Sequence, residues 1–438
     1  MNYKEAREYM GNAEKRGSIL GLATMRNLMK KLGNVQDELK ILHIAGTNGK
    51  GSTLAFLSEI LKQAGYQVGK YTSPAVFDYR EIFTINGNFI SEEEYAKCVT
   101  KIAQAVEKME ASGEPLPTVF EMETALAYLY FYKQNCDIVL METGMGGDED
   151  ATNVCNHTLL SILTPISLDH MAFLGDTISE IATHKAGIIK QNSAVVSAIQ
   201  ESDAKEVIEK TAKGQNAFYI QTGKPENIIY EAAKTMFDYR SSNGVWFEDL
   251  NITMLGAFQP ENACVAVEAA LYLNQNGFPV TNEQIRTGLK LAGWHGRFEK
   301  LGDSPAIYFD GGHNPGAAEY IRKSIEIYFT NRKIVYIIGV LADKDYESVL
   351  KQTAEYASEI ITVTPHNKRA LDGEKLKETA LQYHENVLFV PDIGQAVKQA
   401  LHHAGGDGVI LIFGSLSYLN EVKEAYYKTE EQRNLWKG

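Results

Sequence analysis

Residues 46–53, Gly-Thr-Asn-Gly-Lys-Gly-Ser-Thr, bring together three glycines, a lysine and three hydroxyl side chains. Glycines let backbone N–H groups converge on a phosphate with no Cβ in the way. Lys50 adds a positive point charge, and Ser52 or Thr53 offers a hydroxyl to Mg²⁺. The run Ile41–Ala45 before them is apolar and strand-like, and Leu54, Leu57, Ile60 and Leu61 after them have helical spacing. The order is strand, glycine-rich turn, helix. The strict phosphate-loop pattern G-x-x-x-x-G-K-[ST] is not met, because Ile44 stands six before Lys50 and Gly51 separates Lys50 from Ser52. Alone, the stretch reads as a phosphate site or as an ordinary tight βα turn.

Other stretches must decide. Cys136-Asp-Ile-Val-Leu-Met-Glu142 is an apolar strand ending in a carboxylate, followed by Thr-Gly-Met-Gly-Gly. Beside a phosphate loop such an acid holds Mg²⁺; otherwise it is a solvated strand end. The strand 158–164 leads to Leu168-Asp169-His170, and a helix over 177–190 carries Lys185 near its apolar side. A lone His or Lys is more often structural, but the carboxyl edge of an open α/β sheet is where ligands bind.

The elements that must position these residues follow in order. Two helices fill residues 1–40, with Leu22, Met25, Leu28, Met29 and Leu32 at helical spacing. Val68–Thr72 is a strand running into Thr72-Ser73-Pro74, and Asn86-Gly87 marks a hairpin. Ser91 caps a helix opening with three glutamates, and Phe120–Tyr132 is another helix. A long helix opens near Pro260 and runs to Leu273, and Asn282–Leu289 is a short one. The texture changes at Gly293-Trp-His-Gly-Arg297-Phe-Glu, before a turn at Asp303-Ser-Pro. Strands at 306–310, 333–339, 359–363, 387–390 and 409–414 then alternate with helices. The expected class is α/β, with a phosphate-loop-type, mostly parallel sheet domain over 1–297 and a smaller Rossmann-like α/β domain over 298–438. Gly311-Gly-His-Asn-Pro-Gly316 is not G-x-G-x-x-G, since His313 takes the second glycine's place, which disfavours a nicotinamide site.

The net charge of −13 over 438 residues argues against a nucleic-acid or membrane-surface role, so neither partner is expected. Four cysteines without a C-x-x-C pair, no 18-residue apolar run and no apolar signal core predict a cytoplasmic protein with reduced thiols.

Taken together, the chain resembles folylpolyglutamate synthase and dihydrofolate synthase of the Mur ligase superfamily. The resemblance rests on 43–53, Thr-Ser-Pro (72–74), Glu-Thr-Gly-Met-Gly-Gly (142–147), Asp-Ala-Thr-Asn-Val (150–154), Asp169-His170 with Leu174-Gly175, and Lys-Ala-Gly-Ile (185–188). It continues with His-Gly-Arg-Phe-Glu (295–299), Asp-Gly-Gly-His-Asn-Pro (310–315) and Gly-Ser-Leu (414–416), in order along nearly the whole chain.

The resemblance implies an ATP-dependent ligase that adds L-glutamate to a folate, or to dihydropteroate, through an acyl phosphate, with 298–438 as the glutamate-ligase domain and a monomer as the acting form. It implies catalytic roles for Lys50, Glu142, His170 and Lys185. ATP would meet Gly46, Thr47, Asn48, Gly49, Lys50, Gly51, Ser52, Thr53, Asn262, Arg297 and Asp310. Two Mg²⁺ would be held by Ser52, Glu142, His170 and a carbamylated Lys185. Thr72, Ser73, Pro74, Phe120, His313 and Ser415 would line the substrates. Several positions depart from the family's pattern: Ala75 for His, Ile82 for Arg, Asp148 for Arg, His184 for Glu, and Phe258 for His. They leave the acceptor open between dihydropteroate and a reduced folate.

The rival readings are a phosphate-loop ATPase or kinase, a nucleotide-switch binding protein, and a cell-wall-type Mur ligase acting on another carboxylate. A guanine switch would want N-K-x-D, and Asn367-Lys368 is followed by Arg369-Ala370. A cell-wall ligase usually carries an extra N-terminal substrate domain, and about 40 residues precede the loop here.

Overall fold

The structure, a computed structural model, describes residues 1–17 and 20–435. The chain divides into two units. Unit 1 comprises Met1–Asn227, Phe237–Asn251 and Glu261–Ala292, and unit 2 comprises Ile228–Met236, Ile252–Pro260 and Gly293–Gly438.

Unit 1 is built on eight strands: β1 (Ile41–Ala45), β2 (Val68–Tyr71), β3 (Phe83–Ile85), β4 (Asn88–Phe89), β5 (Ile138–Glu142), β6 (Leu160–Leu163), β7 (Ala194–Ser197) and β8 (Phe218–Gln221). Their order in the sheet is β4-β3-β2-β5-β1-β6-β7-β8. From β2 to β8 the neighbours run parallel, and β3 and β4 add an antiparallel edge. Every residue of β1, β5, β6 and β7 is buried, as the apolar runs require of strands covered on both faces. The chain leaves β1 for β2 on one side and later fills β6, β7 and β8 on the other. A topological switch therefore lies beside β1.

Local chemistry fixes the helices around it. Asn2, Thr118 and Thr177 each form a capping box with a glutamate three residues on, so Tyr3–Asn12, Val119–Lys133 and Ile178–Ala186 start where those side chains satisfy the first N–H groups. The last of these stops at Ala186, short of the expected 190. Gly187 packs so closely that a Cβ there would lie 2.4 Å from Asp148 Cβ. Tyr71, Phe83, Tyr95, Met122, Tyr128 and Phe131 are buried in one core of unit 1, and Ile181, Ile188, Val195 and Ile208 in another.

The strands β9 (Pro225–Tyr230), β10 (Thr235–Arg240) and β11 (Trp246–Ile252) form a three-stranded sheet whose residues are shared between the units. Unit 2 carries six more: β12 (Arg297–Asp303), β13 (Ala306–Asp310), β14 (Ile334–Ile338), β15 (Glu359–Thr362), β16 (Val387–Phe389) and β17 (Val409–Phe413). They are ordered β12-β13-β17-β14-β15-β16, with β12 antiparallel and the rest parallel. The strand β12 occupies part of the stretch that sequence reading took as a boundary. Two register shifts and a left-handed Phe298 (φ 47°) break the alternation that would mark it. Phe298 instead stacks on Phe329 (5.6 Å) and packs with Tyr308 and Tyr328 in the core of unit 2.

Among the described residues no helix is long and apolar enough to cross a membrane, and Cys98, Cys136, Cys155 and Cys264 are free thiols.

Candidate active site

At the carboxyl end of β1 the backbone turns through Gly46 (φ 147°) and Gly49 (φ 87°) into the helix Lys50–Gln63, with Gly49 as its N-cap. Both glycines are demanded by geometry. A Cβ at Gly46 would lie 1.9 Å from Thr164 Oγ1, and one at Gly49 would lie 2.3 Å from Asn262 Oδ1. Asn262, on the helix Gln259–Gln275, thus abuts the loop. The segment after β6 laces the loop in place. Thr47 N donates to Pro165 O (2.9 Å), Thr47 Oγ1 to Ser167 O (2.9 Å), and Asn48 Nδ2 to Ser167 Oγ (3.4 Å). Lys50, Gly51 and Ser52 open the helix, where the dipole and N–H groups favour an anion. The Thr53 hydroxyl is sealed from solvent and has no hydrogen-bond partner among the described residues.

The neighbouring strand ends place acid against base. Ile44 of β1 pairs with Glu142 of β5, and Ala45 with Leu163 of β6. Glu142 is 6% exposed, and its Oε1 lies 4.0 Å from Lys50 Nζ. Lys50 Nζ also donates to Gly46 O (3.1 Å), and the buried Lys185 donates to the same oxygen (2.9 Å). Two lysines and a carboxylate therefore converge at one turn. Burial pushes the Lys185 amine down to about 7, and the nearby charge of Lys50 adds to the shift. Asp169 and His170 follow the lacing segment. His170 is left-handed (φ 51°), caps the helix Met171–Leu174, and its Nε2 lies 3.8 Å from Asp169 Oδ2.

Thr72, Ser73 and Pro74 sit just past the end of β2, on the same sheet edge, with Thr72 N donating to Ile82 O (3.2 Å). Phe120, in the first turn of its helix, lies against Gly144, where a Cβ would be 2.5 Å from the ring. That glycine belongs to the loop after Glu142, and the loop is held by a buried carboxylate. Asp150 Oδ2 accepts from Gly144 N (3.0 Å) and Met145 N (2.8 Å), while Oδ1 accepts from Thr152 N and Oγ1 (3.0 and 2.5 Å). Burial raises the Asp150 pKa, opposed by those N–H donors. Behind it, His43 Nε2 meets Thr152 Oγ1 at 2.8 Å. Burial drives the His43 pKa down to about 3, so the ring is neutral. Sequence reading quoted Asp150 and His43 inside motifs but gave them no role. It also passed over Lys70 on β2, whose pKa burial lowers to about 8 while Glu142, Glu59 and Glu81 oppose the shift. A charged residue inside an apolar strand was the available signal.

In unit 2 four expected residues come together at the carboxyl edge of β13 and β17. Arg297 pairs with Asp310 across β12 and β13, and Asp310 is buried, accepting from Phe298 N (2.9 Å) and Gly312 N (2.6 Å). Burial raises its pKa, and Arg297 partly offsets this. His313 Nδ1 meets Gly311 O at 2.8 Å. Ser415, after β17, accepts from Ser417 N (3.2 Å), and Gly414 N donates to Gly312 O (3.1 Å), tying the two loops together.

Comparison with known proteins decides the family. Residues 44–270 match the Mur ligase middle domain, and residues 296–416 match the Mur ligase glutamate ligase domain. The dihydrofolate synthase/folylpolyglutamate synthase of Bacillus subtilis (strain 168) is 33% identical over 428 residues, 96% of this chain and 98% of that one. The chain belongs to the folylpolyglutamate and dihydrofolate synthase family of Mur ligases. It is accordingly an ATP-dependent ligase. Among solved members, Escherichia coli FolC in complex with DHPP and ADP superposes with a TM-score of 0.86 at 27% identity, over 99% of each chain. Folylpolyglutamate synthase from Thermotoga maritima gives 0.81 at 32% identity, over 96% of each. Against this family, the departures Ala75, Ile82 and Phe258 lie in apolar packing, Phe258 edge-on to Tyr320 at 5.6 Å. Asp148 and His184 face one another, with His184 Nδ1 3.0 Å from Asp148 Oδ1.

Proposed function

We propose that this ligase joins L-glutamate to a folate carboxylate, with dihydropteroate as a second acceptor, at the expense of ATP. The observation that carries the reading is the convergence of Lys50 and Lys185 on Gly46 O beside Glu142, at a glycine turn that opens a helix. The acceptor carboxylate attacks the γ-phosphoryl group, releasing ADP and giving an acyl phosphate. The uncharged amine of glutamate then attacks the acyl carbon, loses its proton, and phosphate leaves. Both reactants of the first step are anions, so positive charge fixed in advance at their meeting point lowers that barrier most. Lys50 supplies it, and the first N–H groups of its helix hold phosphate oxygens. Asn262, against Gly49, and Arg297 and Asp310 in unit 2 are the further proposed ATP contacts. Thr72, Ser73, Pro74 and Phe120 are assigned to the acceptor, and His313 and Ser415 to glutamate. The FolC structure holding DHPP and ADP supports a pterin acceptor and the nucleotide.

The donor set fits Mg²⁺. Among the described residues no three His, Cys, Asp or Glu side chains cluster, and one carboxylate with one hydroxyl leaves positions for phosphate oxygens and water, as Mg²⁺ prefers. Ser52 and Glu142 would hold the first ion. His170 and Lys185 would hold the second only if Lys185 is carbamylated, since an ammonium repels a cation. Its burial and lowered pKa favour the neutral amine which that modification needs. When bound, the ions neutralise phosphate charge during transfer.

The test is ADP release with ATP and Mg²⁺, adding glutamate, dihydropteroate and tetrahydrofolate singly and in pairs. Release is expected only when an acceptor and glutamate are both present. Equal turnover with ATP alone would make the protein an ATPase instead.

A further inference from the structure

The loop that begins at Glu142 does not end at Gly147. Asp148 N donates to His184 O (2.9 Å), and the Asp148 carboxylate presents both oxygens at 3.0 Å to His184 Nδ1. Asn153 Nδ2 donates to both Asp148 O (3.1 Å) and Gly187 O (3.2 Å). A Cβ at Gly147 would lie 2.6 Å from His184 O and 3.0 Å from Lys185 Cα. Backbone contact and side-chain bonds therefore fasten this loop to the last turn of the helix Ile178–Ala186, at the residue before Lys185. From that turn Lys185 reaches across to Gly46 O. Loop, helix and cradle form a closed ring of contacts, in which the Asp148–His184 pair joins a side chain of the loop to a side chain of the helix.

We propose that Asp148 and His184 are positioning residues for ligation, a pair that sets where Lys185 Nζ stands relative to Glu142 and Lys50. The proposal rests on the reaction given above, because it assigns Lys185 a part in that reaction. Neither residue is among the substrate contacts assigned above. The pair acts by fixing the register between two elements that meet only by packing and hydrogen bonds. A positioned side chain displaced by about an ångström loses catalysis while the nucleotide still binds.

The contact can be broken and re-formed with its ends exchanged. His184→Glu sets a second carboxylate against Asp148. The expected result is a fall of at least tenfold in kcat, with affinity for a non-hydrolysable ATP analogue within threefold of wild type. Asp148→Arg added to His184→Glu restores a paired contact between the two positions, and kcat is expected to return to within threefold. A parallel readout needs no ligation: a pulse of acetic anhydride followed by peptide mass spectrometry gives the labelling rate of the Lys185 amine. That rate is expected to change at least threefold in His184→Glu and to revert in the double variant. Labelling that follows this pattern in a protein without ligase activity would sink the functional reading and leave the pair standing. A double variant no faster than the single one overturns the proposal. So does recovery confined to melting temperature, or a loss of analogue binding as large as the loss of kcat.

Discussion

Two glycine-bearing loops follow two buried strands in this chain, one after β1 in unit 1 and one after β13 in unit 2. Both run into helices, Lys50–Gln63 behind Gly49 and Pro315–Tyr328 behind the Asn314 side chain. What differs is the last residue of the strand. The strand β1 ends in Ala45, and its loop is pinned from outside by Pro165 and Ser167 while two lysines gather at Gly46 O. The strand β13 ends in Asp310, whose own carboxylate takes Gly312 N and Phe298 N. The second loop thus spends its Gly312 N–H on an internal anion, and the first brings cations to an external one. Glycine spacing is common to both, and the charge at the strand end separates them.

The sharpest break of this comparison is Lys50→Ala. It is expected to lower kcat/KM by about 1,000-fold with the fold intact by circular dichroism. A loss below tenfold would remove the cradle's claim to phosphate. Glu142→Ala should abolish ligation to a similar degree at any Mg²⁺ concentration, again with an unchanged melting profile. Near-normal turnover would refute its place beside Lys50. Gly49→Ala comes next. A Cβ forced onto Asn262 at φ 87° should cost about 1–3 kcal/mol of stability and raise KM for ATP about tenfold. Asp310→Asn should instead cost about 1–3 kcal/mol by leaving one N–H facing an amide donor, with a smaller kinetic effect, read by thermal unfolding.

The smallest expected effect is in pH. His43 on β1 has a folded pKa depressed to about 3 from an unfolded 6.5, so only the unfolded chain takes up a proton between those values. Its stabilising contribution is intact above pH 6.5 and falls as the solution is acidified, by about 2 kcal/mol at pH 5. Asp310 has a raised folded pKa, so its contribution is present at low pH and is lost as pH rises through that value. Acidification should therefore weaken the packing around His43 and favour that around Asp310. Hydrogen exchange at pH 5 should open residues 41–45 and 138–142 before 306–310 and 409–413. His43→Gln should shrink the gap, and equal opening in the wild type at both pH values would contradict the assignment.

Much of this was legible in the chain. Buried parallel strands read clearly because nothing interrupts their apolar runs, as in Ile41–Ala45 and Ile138–Glu142. The carboxyl-edge placement of Glu142, Asp169 and Thr72 followed from strand ends alone. What escaped was contact between distant segments. Asp148 and His184 stood out singly as departures, and 36 residues separate them in sequence, so nothing linear says that they touch. Asp150 escaped for a similar reason: its partners are backbone N–H groups, which every sequence carries unmarked. The strand β12 was hidden by its bulges and by a left-handed phenylalanine.

Gly46 has a consequence for how this protein can vary. Its neighbour Thr164 would collide with any side chain placed there, and shrinking Thr164 would remove only the 1.9 Å contact to Oγ1, leaving its Cβ and backbone O 3.0 Å away. The backbone at φ 147° would still disfavour every residue with a Cβ. No compensating change next door opens position 46 to drift. Its surroundings can exchange residues in matched pairs, while this one position has no partner with which to bargain.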